Sequence, residues 1–265
     1  MKIGFIGCGN MANAIIKSVS ESSKINCKDI FVFDINLQNA EKFANNYTVN
    51  ICKTTEELIN CSNIVVLAVK PNIIAAVLSE NSDYFEKNNN LIISIAAGKT
   101  IEYINSNLKQ GNKIVRVMPN INAKVGGAMC AYCHNEYVND NDKKNVEEIF
   151  SPIGKIIKLD ESYFSLFGVI AGCSPAFVYM FINAMAETAV KNGMNKKDAL
   201  QISAQTVLGS AKMILESEEH PWALVDQVCS PAGTTIEGVL SLQKDGFETA
   251  IHNAINKAIE KDSKI

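Results

Sequence analysis

The stretch Lys2-Ile3-Gly4-Phe5-Ile6-Gly7-Cys8-Gly9-Asn10-Met11-Ala12 decides how the rest of the chain is read. Residues 2–6 form a short, largely apolar run, and residues 11–20 carry apolar side chains at helical spacing. Strand, tight turn and helix in that order open a βαβ unit. The glycine pattern between them fits the dinucleotide fingerprint, with Ala12 in the third glycine's place. Gly7 permits the turn, Gly9 lets the backbone approach a pyrophosphate, and Ala12 lets the helix sit close on the strand. Exposed N–H groups and the helix dipole then hold the anion. Gly7, Gly9, Asn10 and Met11 are therefore the first coenzyme-binding candidates.

Working outward, short apolar runs recur at 30–34, 64–69, 91–96 and 114–118, with amphipathic stretches such as 37–45 among them. Strands alternating with helices predict a parallel sheet covered on both faces, joined by right-handed crossovers. A polar helix at 141–150 and a run at 155–159 would close this first domain. After about Asp160 the texture changes. Segments 164–170, 176–191, 196–216, 222–228, 236–243 and 247–261 all read as helices, with no strand among them. The expected architecture is an α/β Rossmann-type dinucleotide-binding domain over 1–160 and an all-α domain over 161–265. Residues 176–190 are apolar nearly all round, interrupted mainly by Asn183, Glu187 and Thr188. Such a helix is buried on more than one side. A domain this small cannot bury it alone, so a subunit interface is expected.

Asp34 ends the second strand about 25 residues past the glycines, where a carboxylate can accept from both ribose hydroxyls. It would repel a 2′-phosphate, and Ile35, Asn36 and Leu37 supply no arginine to offset that. NAD(H) is therefore the favoured coenzyme, with NADP(H) the alternative. A plainer role for Asp34, capping the following helix, is compatible with this.

Composition narrows the classes. A chain of 265 residues that is 47% hydrophobic can bury one large core or two modest ones. A net charge of -3 gives no reason to expect nucleic acid or an anionic membrane as partner. The eight cysteines have no framework spacing, and the start reads as a strand rather than a signal peptide or membrane span. Free thiols in a soluble cytoplasmic protein are the expectation. Cys130-Ala131-Tyr132-Cys133-His134 matches a haem-attachment pattern, but 127–132 reads as strand, where residues three apart face opposite ways. No metal or haem is expected. His134, His220 and His252 stand apart and read as solvated residues, whereas Lys70 is the one basic residue not set aside, its plainer role being to set backbone geometry before Pro71.

With these residues in view, the chain resembles the pyrroline-5-carboxylate reductase family along nearly its whole length. The resemblance lies in residues 3–12, in Leu67-Ala68-Val69-Lys70-Pro71, and in Arg116-Val117-Met118-Pro119-Asn120. It continues in Gly172-Cys173-Ser174-Pro175-Ala176 and is most specific in Asp226-Gln227-Val228-Cys229-Ser230-Pro231-Ala232-Gly233-Thr234-Thr235-Ile236, followed by Gly246-Phe247. No single block decides the matter; all of them in order do.

The resemblance implies a helical dimerisation domain, with active sites where two subunits meet. It implies hydride transfer from the nicotinamide to the C=N carbon of 1-pyrroline-5-carboxylate, giving L-proline. It adds Ala68, Val69, Lys70, Pro71 and Asn120 to the coenzyme site, with Pro71 beginning a helix. It assigns substrate binding to Ser230, Gly233, Thr234 and Thr235, with backbone N–H groups on the carboxylate. The Thr235 hydroxyl would bond the ring nitrogen, as proton donor or water organiser. A homodimer is the implied building block, with a ring such as a decamer as a larger form. The residues agree on their own terms, since Ser-Pro, small residues and an apolar helical run make a helix start with unpaired N–H groups. Three positions depart from the family pattern. Ala232 stands where a glycine is usual, Thr55 where an asparagine is expected, and Asp34 where many members carry a pattern suited to NADPH. The readings kept open are another imine or hydroxyacid reductase on this plan and a nonenzymatic dinucleotide sensor.

Overall fold

The computed structural model describes residues 1–22 and 25–262, so the last three residues of the expected helical domain lie outside the described residues. The chain divides into two compact units, Met1–Gly172 and a second from Cys173 onward.

The first unit runs β1 (Ile3–Ile6), α1 (Asn10–Ser22), β2 (Ile30–Phe33), α2 (Leu37–Tyr47), β3 (Asn50–Ile51), α3 (Thr55–Cys61) and β4 (Ile64–Leu67). It continues through α4 (Ile74–Glu80), α5 (Ser82–Asn88), β5 (Leu91–Ser94), α6 (Ile101–Ser106), β6 (Lys113–Met118) and β7 (Ala128–His134). It ends with α7 (Asp140–Phe150), β8 (Gly154–Lys158) and α8 (Phe164–Phe167). The strands form one eight-stranded sheet in the order β3-β2-β1-β4-β5-β6-β7-β8. The register follows the period of two. Ile3, Phe5, Ile64, Val66, Val115 and Val117 enter the core under α1 and α7, while Ile6, Val65, Leu67, Ile92 and Ile114 enter the core under α3 to α6.

The sheet is not wholly parallel, as the strand–helix alternation predicts. β7 pairs antiparallel to β6, and β8 then pairs parallel to β7. The reason is the link between β6 and β7, which holds only a short 3₁₀ turn at Ile121–Val125. A parallel return needs a crossover of about a dozen residues or more. A second departure concerns Pro71. The chain after β4 makes a turn, closed by Ile73 N–H to Lys70 O at 2.9 Å, and the helix begins only at Ile74.

The second unit is helical: α9 (Ser174–Lys191), α10 (Lys196–Glu216), α11 (Pro221–Val228), α12 (Thr234–Lys244) and α13 (Phe247–Asp262). α9 packs along α10, and α12 against α13. Asn195 caps α10 by accepting from Asp198 N–H. These helices do not make a core of their own. Ala186, Ala199 and Ser203 are buried, but α11, α12 and α13 bury no described residue. Met180 is 72% exposed, Leu208 61% and Leu215 85%. One helix, Glu161–Lys191, is long and apolar enough to cross a membrane by length and composition, with mean hydropathy 1.8.

Candidate functional site

The glycine loop is built as its residues require. Gly7 has φ +100, and a Cβ there would stand 2.7 Å from the Ala68 carbonyl oxygen. Only glycine fits that combination of backbone angle and close approach. A Cβ on Gly9 would meet open space, so its backbone presents an uncovered surface. The first helical hydrogen bond of α1 is Asn13 N–H to Gly9 O at 3.0 Å, so the N–H groups of Asn10, Met11 and Ala12 precede the ladder and point outward. No acidic residue in that first turn competes for them. Ala12 is buried against the sheet.

The loop is held at both flanks. Gly7 N–H donates to Phe33 O and Ala68 N–H to Ile6 O, both at 2.8 Å. Asp34 reaches across from the end of β2: its Oδ2 accepts from Cys8 N–H at 2.8 Å, and its Oδ1 accepts from Asn36 N–H at 2.9 Å and Asn39 Nδ2 at 3.3 Å. Asp34 is therefore not the cap of α2. Asn36 takes that role by accepting from Gln38 N–H. The sequence reading missed the tie between Asp34 and the loop, because their separation of 26 residues hides the neighbourhood. The structure thus brings Gly7, Gly9, Asn10, Met11, Asp34, Ala68 and Val69 to one sheet edge. Lys70 and Pro71 follow on the exposed turn. Asn120 stands beyond the end of β6, three strand spacings from β1, or about 14 Å. These residues fit a dinucleotide: unpaired N–H groups and an open glycine face for phosphates, and a carboxylate for the ribose.

Neighbouring residues set the limits. Burial and the Asp34 charge push the Cys8 thiol up to about 12, so it stays protonated beside the loop. Cys130 and Cys133 face opposite sides of β7, in separate core clusters, and burial raises both to about 12. The Thr55 hydroxyl donates to Asn81 Oδ1 at 2.8 Å and is occupied by the fold. His134 is not the solvated residue expected. Its ring is half-buried beside Tyr132, and Nδ1 donates to Asn135 O at 2.8 Å. His220 caps α11 and His252 is exposed. Arg116 received no role from the sequence, although a lone arginine in an apolar strand needs a buried partner. Its NH1 donates to Glu161 Oε1 at 2.9 Å, and its guanidinium lies 4.5 Å from the Phe164 ring centre.

In the second unit, Ser230, Gly233, Thr234 and Thr235 form one turn leading into α12. Gly233 N–H closes it on Ser230 O at 3.0 Å. Gly233 is the N-cap with no side-chain cap bond, so the N–H groups of Thr234, Thr235 and Ile236 are available to an anion. Glu237 is the one acidic residue of that first turn and follows those donors. A Cβ on Gly233 would overlap Ser230 Oγ, which explains the glycine. Ala232 takes φ +56, the left-handed region that a glycine adopts at lower cost. Thr235 is exposed, with its hydroxyl open to a ligand.

Known proteins share both halves. Residues 161–265 match the family described as pyrroline-5-carboxylate reductase dimerisation, and residues 2–98 match that described as NADP oxidoreductase, coenzyme F420-dependent. The pyrroline-5-carboxylate reductase of Escherichia coli is 39% identical over 264 residues, covering 100% of this chain and 98% of that protein. The pyrroline carboxylate reductase of Plasmodium falciparum, solved with NADP bound, is 34% identical with a TM-score of 0.87, covering 99% of this chain and 97% of that one. The Coxiella burnetii pyrroline-5-carboxylate reductase structure is 30% identical with a TM-score of 0.93, over 99% and 97% of the two chains. A dinucleotide-binding sheet edge, a helical unit matched to a dimerisation family and identity along the whole chain lead to one assignment: this chain belongs to the pyrroline-5-carboxylate reductase family.

Proposed function

We propose that the protein reduces 1-pyrroline-5-carboxylate to L-proline, preferring NADH, in the cytoplasm. The observation that carries this is the uncapped start of α12, an anion site preceded by Ser230 and followed by the open Thr235 hydroxyl. Within the turn Gly233-Thr234-Thr235, Gly233 N–H is taken by Ser230 O, so the N–H groups of Thr234 and Thr235 are the candidate donors to the substrate carboxylate. Ser230 sits at the mouth. Thr235 bonds the ring nitrogen, or orders a water there, which keeps that nitrogen protonated as the carbon is reduced. A bound reduced nicotinamide supplies the hydride to the C=N carbon. Gly7, Gly9, Asn10 and Met11 hold the pyrophosphate side and Asp34 the adenosine ribose, while Ala68, Val69, Lys70 and Pro71 line the edge.

Asp34 supports NADH over NADPH because its carboxylate is fixed beside the loop and no arginine neighbours it. The homodimer is the building block, and a ring of dimers is the larger form. In it, the turn of one subunit would serve coenzyme held by another. The exposed apolar side chains of α9 are then covered by a partner subunit rather than by lipid. Asn183 Nδ2 donates to Glu187 Oε1 within α9 at 2.9 Å, and α10 and α12 expose apolar side chains as well.

The test is loss of reduced-nicotinamide absorbance on adding 1-pyrroline-5-carboxylate to purified protein, with proline identified as product. Tight NADH binding with no substrate-dependent oxidation would overturn the reading in favour of a dinucleotide sensor.

A further inference from the structure

Alternate residues of β6 meet one segment of chain. Arg116 engages Glu161 and Phe164, and a Cβ on Gly168 would stand 3.2 Å from Met118 Sδ. Asn120, two residues further on, donates from Nδ2 to Ala171 O at 2.8 Å. Residues 116, 118 and 120 share a face of the extended chain, and their partners advance in the same order. Over 116–120 the strand advances about 13 Å, and over 164–171 a helix rises about 10 Å, so the two run side by side at nearly matched length. At the far end the helix widens into a π turn, Gly168–Cys173. Such turns shift carbonyls out of the regular ladder and mark functional places in helices. Ala171 lies in this one.

Asn120 is 6% exposed. Its Oδ1 accepts from Asn122 N–H at 3.2 Å while its Nδ2 holds Ala171 O, so the chain itself uses both ends of the amide. We propose that Asn120 is a positioning residue rather than a coenzyme ligand. It latches the π turn to the carboxyl edge of β6 and so fixes where the chain leaves the coenzyme-binding unit to enter α9. This rests on the reductase reading for its consequence, which is that the latch sets kcat and not coenzyme affinity.

The isosteric variant Asn120→Asp keeps the acceptor for Asn122 N–H but sets an ionised oxygen against the Ala171 carbonyl. When protonated, the same carboxyl can donate to that carbonyl and restore the latch. Relative to wild type at each pH, kcat should fall about tenfold or more when the carboxyl is ionised and recover as pH is lowered, because small displacements cost large factors in rate. The Kd for NADH, titrated on the same samples, should stay within about twofold. Asn120→Ser keeps a cap but cannot reach Ala171, so it should lose kcat to a similar extent with no recovery at low pH. It also stands in should Asn120→Asp fail to fold. Amide exchange across 168–173 in Asn120→Ser should be roughly tenfold faster, and that readout holds even if the wild-type protein proves not to reduce pyrroline-5-carboxylate. A raised Kd for NADH with unchanged kcat would overturn the proposal and return Asn120 to the coenzyme site. Unchanged kcat and unchanged exchange in both variants would overturn it as well.

Discussion

At the scale of single residues, Asp34 and Thr235 carry the chemistry to be tested. Asp34, proposed to hold the adenosine ribose, also accepts from the glycine loop at Cys8 N–H. Asp34→Asn removes the charge and keeps an amide oxygen that can accept from Cys8 N–H, whereas Asp34→Ser removes the charge and leaves only a shorter hydroxyl that does not reach that N–H. The ratio of kcat/KM for NADPH to that for NADH should rise about tenfold or more in each, from loss of like-charge repulsion. In Asp34→Ser both coenzymes should bind more weakly as well. A wild-type enzyme that clearly favours NADPH would show the carboxylate irrelevant to discrimination. Thr235→Ala should lower kcat/KM roughly ten- to a hundredfold, the loss of one hydrogen bond to a charged group at ~1.5–3 kcal/mol. NADH affinity should barely move, because the assigned coenzyme contacts lie elsewhere in the chain. Full activity in that variant would remove Thr235 from the site. Cys8 needs no such test, for a buried thiol held near 12 offers no nucleophile.

At the scale of elements, the turn before α12 has a strained position. Ala232 adopts φ +56 where a side chain costs about 1 kcal/mol over glycine. Ala232→Gly should therefore stabilise the protein by up to ~1 kcal/mol, a rise of a few degrees in Tm for a domain of this size. Thermal unfolding at fixed protein concentration measures it, and a fall in Tm would show that the left-handed turn is not adopted in solution. The strands and helices themselves were legible. Helices were expected at 196–216 and 222–228, and they appear as Lys196–Glu216 and Pro221–Val228. Periodicity sustained over many residues is a strong signal, whereas the reversal at β7 was not legible. The alternation of 127–132 marks a strand, and nothing local says which way it runs. The start of the helix after Pro71 also misled, because the proline sits in a turn closed by Lys70 O before the helix begins.

At the scale of the whole molecule, the helical unit poses the clearest physical problem. Side chains such as Met180, Leu208 and Leu215 stand exposed, and three of its helices bury no described residue. Large apolar side chains left exposed on several helices of one unit point to an interface. A match to a dimerisation family over 161–265 accounts for it as a homo-oligomer. Light scattering should accordingly find no stable monomer at micromolar concentration. An active, well-folded monomer would overturn the assignment of that surface to a second copy of the chain.

The sequence by itself determined the two-part plan, the glycine loop and the small-residue turn before α12. Each of these depends on local rules: hydrophobic period, the few residues that a tight turn admits, and helix ends that leave N–H groups unpaired. It also showed that 176–190 is too apolar for a free surface. Only the tertiary structure decided what the polar side chains do. Asp34 meets Cys8, Arg116 meets Glu161 and Phe164, and Asn120 meets Ala171, across 26, 45 and 51 residues of sequence. A buried polar group must find a partner, but which partner depends on the packing of strands and helices distant in the chain. That is why the sequence could name Asn120 as a candidate while its bonds to Ala171 and Asn122 became visible only in the fold.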